Sequence, residues 1–283
     1  MHDEKVQEPT QVECVVCGSG DWREQWPGAG PSLWRCAACG FVRADISSSF
    51  DIGSLYGDDY NYGRGPDGTA LIPEARHPNP AFTARRRYWL SLLASEVGGP
   101  SRLLDIGCGA GALLDVAKGQ GWNGIGQEIS SVAAAEARAH GHPVVVGGLS
   151  PELFPTSVDA ATMIEVIEHI PDPRPTLTAA RALIRKGGAL LLTTGDIGST
   201  RARLRRHRWG YIRPPIHVSY FTRETMERLL LNCGFSQVAF PPTFNLAFPS
   251  LPILGAPSRP FLQRAARTVR RVTRSEMCVL ARV

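Results

Sequence analysis

Residues Leu103 to Leu114 read LLDIGCGAGALL: an apolar run, a carboxylate, three glycines at alternate positions, then a helix-forming stretch. That is a strand entering a tight turn and leaving it directly as a helix. Glycines so spaced let the backbone come close to a bound group without Cβ clashes. The same alternation continues downstream. Strands are expected at Arg102–Ile106, Asn123–Gln127, Pro143–Val146, Val158–Ile164, Gly188–Thr194, Phe235–Phe240 and Met277–Val283. Helices are expected at Ala81–Val97, Ala112–Gln120, Ser131–His140, after Pro173 to about Ile184, and at Thr222–Asn232. Ser130 reads as an N-cap. Strands alternating with helices imply a mostly parallel sheet covered on both faces.

The glycine turn fits two templates. One is the dinucleotide fingerprint, with Ala112 in its last position and Glu128 about 20 residues on to hold a ribose. The other is a D-x-G-x-G turn for S-adenosylmethionine (SAM). Asp105 discriminates between them: a carboxylate two residues before Gly107 repels a pyrophosphate and attracts a methionyl ammonium. No Gly-Lys-Ser/Thr follows the turn, which excludes a P-loop.

Cysteine spacing supplies a second module. Cys14 and Cys17 form one C-x2-C, Cys36 and Cys39 another, with eighteen residues between the pairs. Two such knuckles can place four thiolates tetrahedrally around one zinc ion, and a closed four-cysteine site is structural rather than catalytic. Gly18 and Gly40 follow the pairs and relieve the turns. Trp22, Trp26, Leu33, Trp34 and Phe41 form the expected small core, and the metal supplies much of the module's stability. Cys108, Cys233 and Cys278 are scattered, and an odd total argues against a disulfide framework. The expected organisation is a zinc ribbon over 1–45, a connector covering the active site over 46–80, and a domain over 81–283 with insertions near 196–218 and 242–275.

The runs LLDIGCGAG, GIGQEIS, VDAATMIEVIEHIPDP, GGALLLTT and HVSYFTRETMERLLLNCGF occur in that order over roughly residues 81–240. Together they resemble the class I SAM-dependent methyltransferases, in the group whose fourth strand ends in an E-V-L-E-H-L-like sequence. A four-cysteine module ahead of such a domain is similar to an arrangement among sugar, natural-product and some ribosomal-RNA methyltransferases. The resemblance implies an α/β, Rossmann-like seven-stranded sheet of order 3-2-1-4-5-7-6, strand seven antiparallel, preceded by the ribbon. It implies that Asp105, Gly107 and Gly109, with Cys108 between them, contact the methionine part of SAM. Glu128 then binds the ribose, Ile129 packs on the adenine, Leu149 flanks it, and Glu165 lies near the methyl-transfer pocket.

Methyl transfer from a sulfonium is an in-line displacement in which positioning matters most, and a general base helps a hydroxyl or ammonium acceptor. The candidates are His217, His169, Glu165 and Glu168, with Trp209, Tyr211 and Tyr220 lining the same pocket. Glu165, Glu168 and His169, at i, i+3 and i+4, would share one helical face and could hold a divalent cation. RARLRRHRWGYIRPP, from Arg201, reads as a solvated loop or as a clamp on an acidic group of the acceptor. RPFLQRAARTVRRV, over 259–272, reads as a lid or homodimer helix, with contact to an anionic membrane surface or lipid-linked substrate as the alternative.

The net charge of +5 is too mild to imply nucleic-acid binding, and no apolar run reaches the length of a membrane span. The polar N-terminus is neither a signal nor a transit peptide, so a cytoplasmic location is expected. The expected function is methylation of a small-molecule, sugar or natural-product acceptor. The alternatives are an RNA methyltransferase and a non-catalytic SAM-binding scaffold with a partner-binding ribbon.

Overall fold

The computed structural model describes residues 12–28, 30–45, 80–154, 156–243 and 275–283. The expected connector at 46–80, apart from Pro80, lies outside these residues, as do its Tyr56, Tyr60 and Tyr62. The basic segment expected at 259–272 and most of the insertion near 242–275 lie outside them too.

The chain opens with three short antiparallel strands, β1 (Trp22–Glu24), β2 (Leu33–Cys36) and β3 (Val42–Ala44). After α1 (Pro80–Val97) the alternation begins, with β4 (Arg102–Ile106), α2 (Ala112–Gly119), β5 (Asn123–Glu128), α3 (Ser131–Ala139) and β6 (Val144–Val146). It continues through β7 (Val158–Ile164), α4 (Arg174–Leu183), β8 (Ile184–Gly195) and α5 (Thr200–Arg205). The remaining elements are β9 (Ser219–Tyr220), α6 (Arg223–Asn232), β10 (Gln237–Ala239) and β11 (Glu276–Arg282).

Seven strands form one sheet in the order β6-β5-β4-β7-β8-β11-β10. Counted within the sheet, this is the expected 3-2-1-4-5-7-6. The strand β11 runs antiparallel to both β8 and β10, and the others pair in parallel. The central strands are buried on both faces, as a parallel sheet between helix layers requires: β7 is buried along nearly its whole length, and so is β8 from Ala189 onward. On α4, Leu177, Ala180 and Leu183 face the sheet at helical spacing. Ser130 caps α3 by accepting from the Ala133 amide at 3.3 Å, and Thr222 and Thr225 form a reciprocal cap on α6.

The strand β8 starts earlier than expected, at Ile184 rather than Gly188. Its register against β7 shifts between Val158 and Ala160, so the chain bulges before Ala189. Gly188 is required there because a Cβ would sit 2.5 Å from the Asp159 carbonyl oxygen.

The strand β4 lies inside the sheet, with β5 on one side and β7 on the other. Chain connections leave it in opposite directions, and the crevice beyond the strand ends at such a switch point is where open α/β sheets bind ligands. The ribbon is not a detached bead: β9, from the larger domain, pairs antiparallel with β3 and completes a four-stranded sheet. Among the described residues no helix is long and apolar enough to cross a membrane.

Candidate active site and metal centre

The glycine turn leaves β4 at Ile106. Gly107, Gly109 and Gly111 have φ of 69°, 54° and 86°, the left-handed region that side chains disfavour. At Gly107 there is also no room, since a Cβ would fall 2.5 Å from a Val166 methyl. The turn is pinned to the neighbouring strand, where the Gly107 and Cys108 amides donate to the Gln127 carbonyl at 2.8 and 3.0 Å. Glu128, at the end of β5, accepts from the Gly109 amide at 2.8 Å and, with its other oxygen, from the Ser130 amide at 2.9 Å. Each oxygen keeps a second lone pair for another donor.

Asp105 is 3% exposed and accepts from the Thr162 hydroxyl at 2.7 Å. Burial pushes its carboxyl up to about 7, and the charge of Glu128 adds to the shift. A carboxylate this dry, held by the Thr162 hydroxyl and with the charge of Arg86 acting on it, suits an incoming cation. Ile129, after β5, is exposed and Leu149, after β6, is half-buried, and the two strand ends are tied by the Gly147 amide donating to the Glu128 carbonyl at 2.9 Å.

Across the sheet, beyond the ends of β7 and β8, a second cluster forms. Glu165 follows β7 in a left-handed backbone conformation, φ 54°, which costs energy for a residue with a Cβ and is typical of functional positions. Its carboxyl accepts from the Thr193 hydroxyl at 2.8 Å and from the Tyr211 hydroxyl at 2.9 Å. Glu168, fully buried, accepts from Thr194 at 2.9 Å and approaches the same Tyr211 hydroxyl at 2.5 Å. Burial pushes Glu165 up to about 8, assisted by the charge of Glu168, and burial raises Glu168 to about 7. Two carboxyls meeting on one hydroxyl retain a proton between them near neutral pH, as like charges in a dry site must.

The helical face expected for Glu165, Glu168 and His169 does not form. Only Ile167–His169 is helical, as a single 3-10 turn, which keeps Glu168 near His169 and leaves Glu165 outside that group. The two glutamates go to Tyr211 while His169 goes to His217, their rings 4.9 Å apart and edge-on. Among the described residues the ligand-type atoms within 4.8 Å of one another here belong to Glu168, His169 and His217, without Glu165. Both Glu168 oxygens are already engaged, one by the Thr194 hydroxyl and the other by the Tyr211 oxygen, so this group is a hydrogen-bonded network. His169 donates from Nδ1 to the Ile216 carbonyl at 2.9 Å and His217 from Nδ1 to the Tyr211 carbonyl at 2.8 Å. Burial lowers both histidines, His217 to about 3 with His169 and Arg213 adding to the effect, so both imidazoles are neutral.

Tyr211 stacks on Trp209 at 5.1 Å and touches His217 at 4.5 Å, which makes it the hub of the pocket. Thr193 and Thr194 are the site residues that sequence reasoning passed over. Their signal was a pair of hydroxyls at the C-terminal end of an otherwise apolar parallel strand. Of the basic run, Arg201, Arg203, Arg205, Arg206 and Arg208 are exposed, on and just after α5.

In the ribbon, the Cys14 and Cys39 sulfurs are 3.5 Å apart, as are those of Cys17 and Cys36, and all four lie within 4.8 Å of one another. The pairs are close to the roughly 3.8 Å edge that four thiolates at about 2.3 Å from a tetrahedral zinc would share. Each knuckle closes alike: Gly18 donates to the Cys14 carbonyl at 2.8 Å and Gly40 to the Cys36 carbonyl at 2.9 Å, both glycines at positive φ. No disulfide forms among these cysteines. The donor set therefore fits a structural zinc ion.

A glycine turn between a dry aspartate and a glutamate at the end of the neighbouring strand, at the switch point of this seven-stranded sheet, is the arrangement of the SAM-dependent methyltransferase fold. The family described as "Methyltransferase domain" matches residues 82–239. The chain belongs to that family. A SAM-dependent methyltransferase from Archaeoglobus fulgidus has the same fold, with a TM-score of 0.53 and 19% identity over 72% of this chain and 94% of that one. One from Mesorhizobium loti gives 0.50 and 19% over 72% and 100%. In sequence, the chain is 32% identical over 114 residues to the ubiquinone biosynthesis O-methyltransferase of Dechloromonas aromatica, covering 38% of this chain and 48% of that protein. The chain thus spans about half the length of the curated relatives it matches.

Proposed function

We propose that this chain methylates an oxygen of a small organic acceptor, a hydroxylated small molecule, sugar or natural product, in the cytoplasm. The observation that carries this reading is the meeting of Glu165 and Glu168 on the Tyr211 hydroxyl, next to the glycine turn. The names of the related O-methyltransferases agree with an oxygen acceptor. Asp105 binds the methionyl ammonium, and the turn from Gly107 through Cys108 to Gly109 brings backbone close to the same part. Glu128 takes the ribose hydroxyls on its remaining lone pairs, and Ile129 and Leu149 flank the adenine.

Bound SAM supplies an electrophilic methyl on a positively charged sulfur. The acceptor oxygen's lone pair forms the new bond to carbon as the carbon–sulfur bond breaks, and that bond's electrons stay on sulfur. The chain's tasks are to align the acceptor and to take its proton. Glu165 takes that proton, since a carboxyl poised near neutrality is matched to the task. Tyr211 and Glu168 hold Glu165 in place. His217, neutral and fixed by Tyr211, presents Nε2 as an acceptor for a second acceptor hydroxyl, and His169 positions it. Between Cys14 and Cys39 the ribbon carries only Arg23 and Arg35 against Asp21 and Glu24, a balance that favours a small acceptor over RNA.

The test has two stages. Calorimetric titration of zinc-loaded protein with S-adenosylhomocysteine (SAH) is expected to show micromolar binding, lost in Asp105→Ala and absent for NAD. Label transfer from methyl-labelled SAM to a panel of hydroxylated compounds then finds the acceptor, with Glu165→Gln as the dead control. A folded protein that does not bind SAH overturns the reading.

A further inference from the structure

The cysteine module has so far been assigned only a structural metal. Its strand pairing and most of its hydrogen bonds to the larger domain fall on the segment that carries His217; elsewhere Asn232 of α6 donates to the Val16 carbonyl at 2.9 Å, and Val16 and Phe41 pack in one apolar cluster with Met226 and Leu229. The Ala44 amide of β3 donates to the Val218 carbonyl at 2.9 Å, and the Val218 amide donates to the Glu168 carbonyl at 2.8 Å. One residue, next to His217, therefore links the ribbon's last strand to the turn bearing Glu168. Val42 pairs with Tyr220, whose hydroxyl donates to the His217 carbonyl at 2.7 Å. Leu33, Val42 and Ala44 share an apolar cluster with Trp209 and Tyr220. A loop contact adds to this, since His207 Nε2 donates to the Trp26 carbonyl at 2.6 Å.

The cofactor turn is held differently. Asp105 accepts from Thr162, the Gly107 amide donates to Gln127, and Glu128 accepts from the Gly109 and Ser130 amides, all within the larger sheet and its connections. The strands β1, β2 and β3 are three to four residues long, so the cross-link that a metal provides contributes to holding their register.

We propose that the zinc ribbon is one wall of the acceptor pocket. Its metal-held strand β3 positions the Tyr211–Tyr220 segment through Val218, so losing the metal disorders the acceptor side and leaves the SAM side intact. The assignment of Tyr211 and His217 to the acceptor side rests on the function proposed above. Val218 acts as a positioning residue, through its backbone.

Hydrogen exchange on full-length protein, zinc-loaded and after chelator stripping, tests this, with SAH affinity measured on the same samples. Stripping is expected to raise exchange at least tenfold at the amides of both 42–44 and 217–221, to leave SAH affinity within twofold, and to be reversed by added zinc. Ala44→Pro, which removes the amide that Val218 accepts from, should raise exchange at 217–221 with one zinc still bound. Faster exchange confined to the ribbon, with 217–221 still protected, would overturn the proposal. So would a loss of SAH affinity on stripping that parallels the loss of protection, because the ribbon would then support the whole domain. If zinc-loaded protein fails to bind SAH at all, the functional reading fails instead, whatever the exchange pattern.

Discussion

Asp105 makes SAM binding a measurable proton-linked event. Its carboxyl sits at about 7 because burial penalises the charge, while the ammonium it binds requires the carboxylate. The proton must therefore leave when the ligand enters, and affinity falls as pH drops below 7. With a carboxyl at about 7, about 3% of free sites are ionised at pH 5.5 and about 76% at pH 7.5. The ratio is about 25-fold in affinity, about 1.9 kcal/mol. Calorimetric titration with SAH at several pH values, in buffers of different ionisation heat, reads both quantities. The expected result is weaker binding at low pH with about one proton released per ligand near pH 6 and fewer at pH 7.5. Asp105→Asn should bind weakly and with little pH dependence over this range. A wild-type affinity flat from pH 5.5 to 7.5, or proton uptake on binding, would refute the reasoning.

Glu165→Gln should lower kcat by about 10²–10⁴ while SAH affinity stays unchanged, and wild-type turnover should fall as pH drops below about 8, because the active form is the carboxylate. In Gly107→Ala, the left-handed backbone at φ 69° costs about 1–2 kcal/mol and the Val166 contact adds to it, so thermal melting should show lower stability and SAH titration weaker binding. Asp159, buried at the start of β7, accepts from the Ser101 hydroxyl, the Arg102 amide and Arg185, which together overcome burial and hold its carboxyl below the usual range. Asp159→Ala should cost about 1–3 kcal/mol in denaturant melts, discounted because both arginines are partly exposed, and a loss near wild-type error would contradict the anchoring role.

The parts of the fold set by local pattern were legible in the sequence. Apolar runs bounded by glycine located the sheet's strands, and Asp105 with Gly107 marked the cofactor turn because both conformation and charge are local properties. Four cysteines at knuckle spacing located the metal centre for the same reason. The acceptor side was less legible because tertiary packing assembles it. Glu165 and Glu168 lie three residues apart, but only the left-handed backbone at Glu165 and the short 3-10 turn bring both to Tyr211, and periodicity foresees neither. The expected shared helical face failed at this point. The strand β9 is two residues long, too short for any alternation to register, and exists because β3 offers it an edge. The early start of β8 depends on Asp159 and the bulge, again a contact between distant residues.

The pairing of β3 with β9 also sets an order of events during synthesis. The strand that completes the ribbon's sheet is made roughly 180 residues after the strand it pairs with. On a ribosome adding roughly 5–20 residues per second, the cysteine module waits about 10–40 s with one edge uncovered. Metal capture can occur in that interval, since all four cysteines precede β3. The last edge closes only after the larger domain's parallel strands have been made, so a module that is made before that domain is finished after most of it.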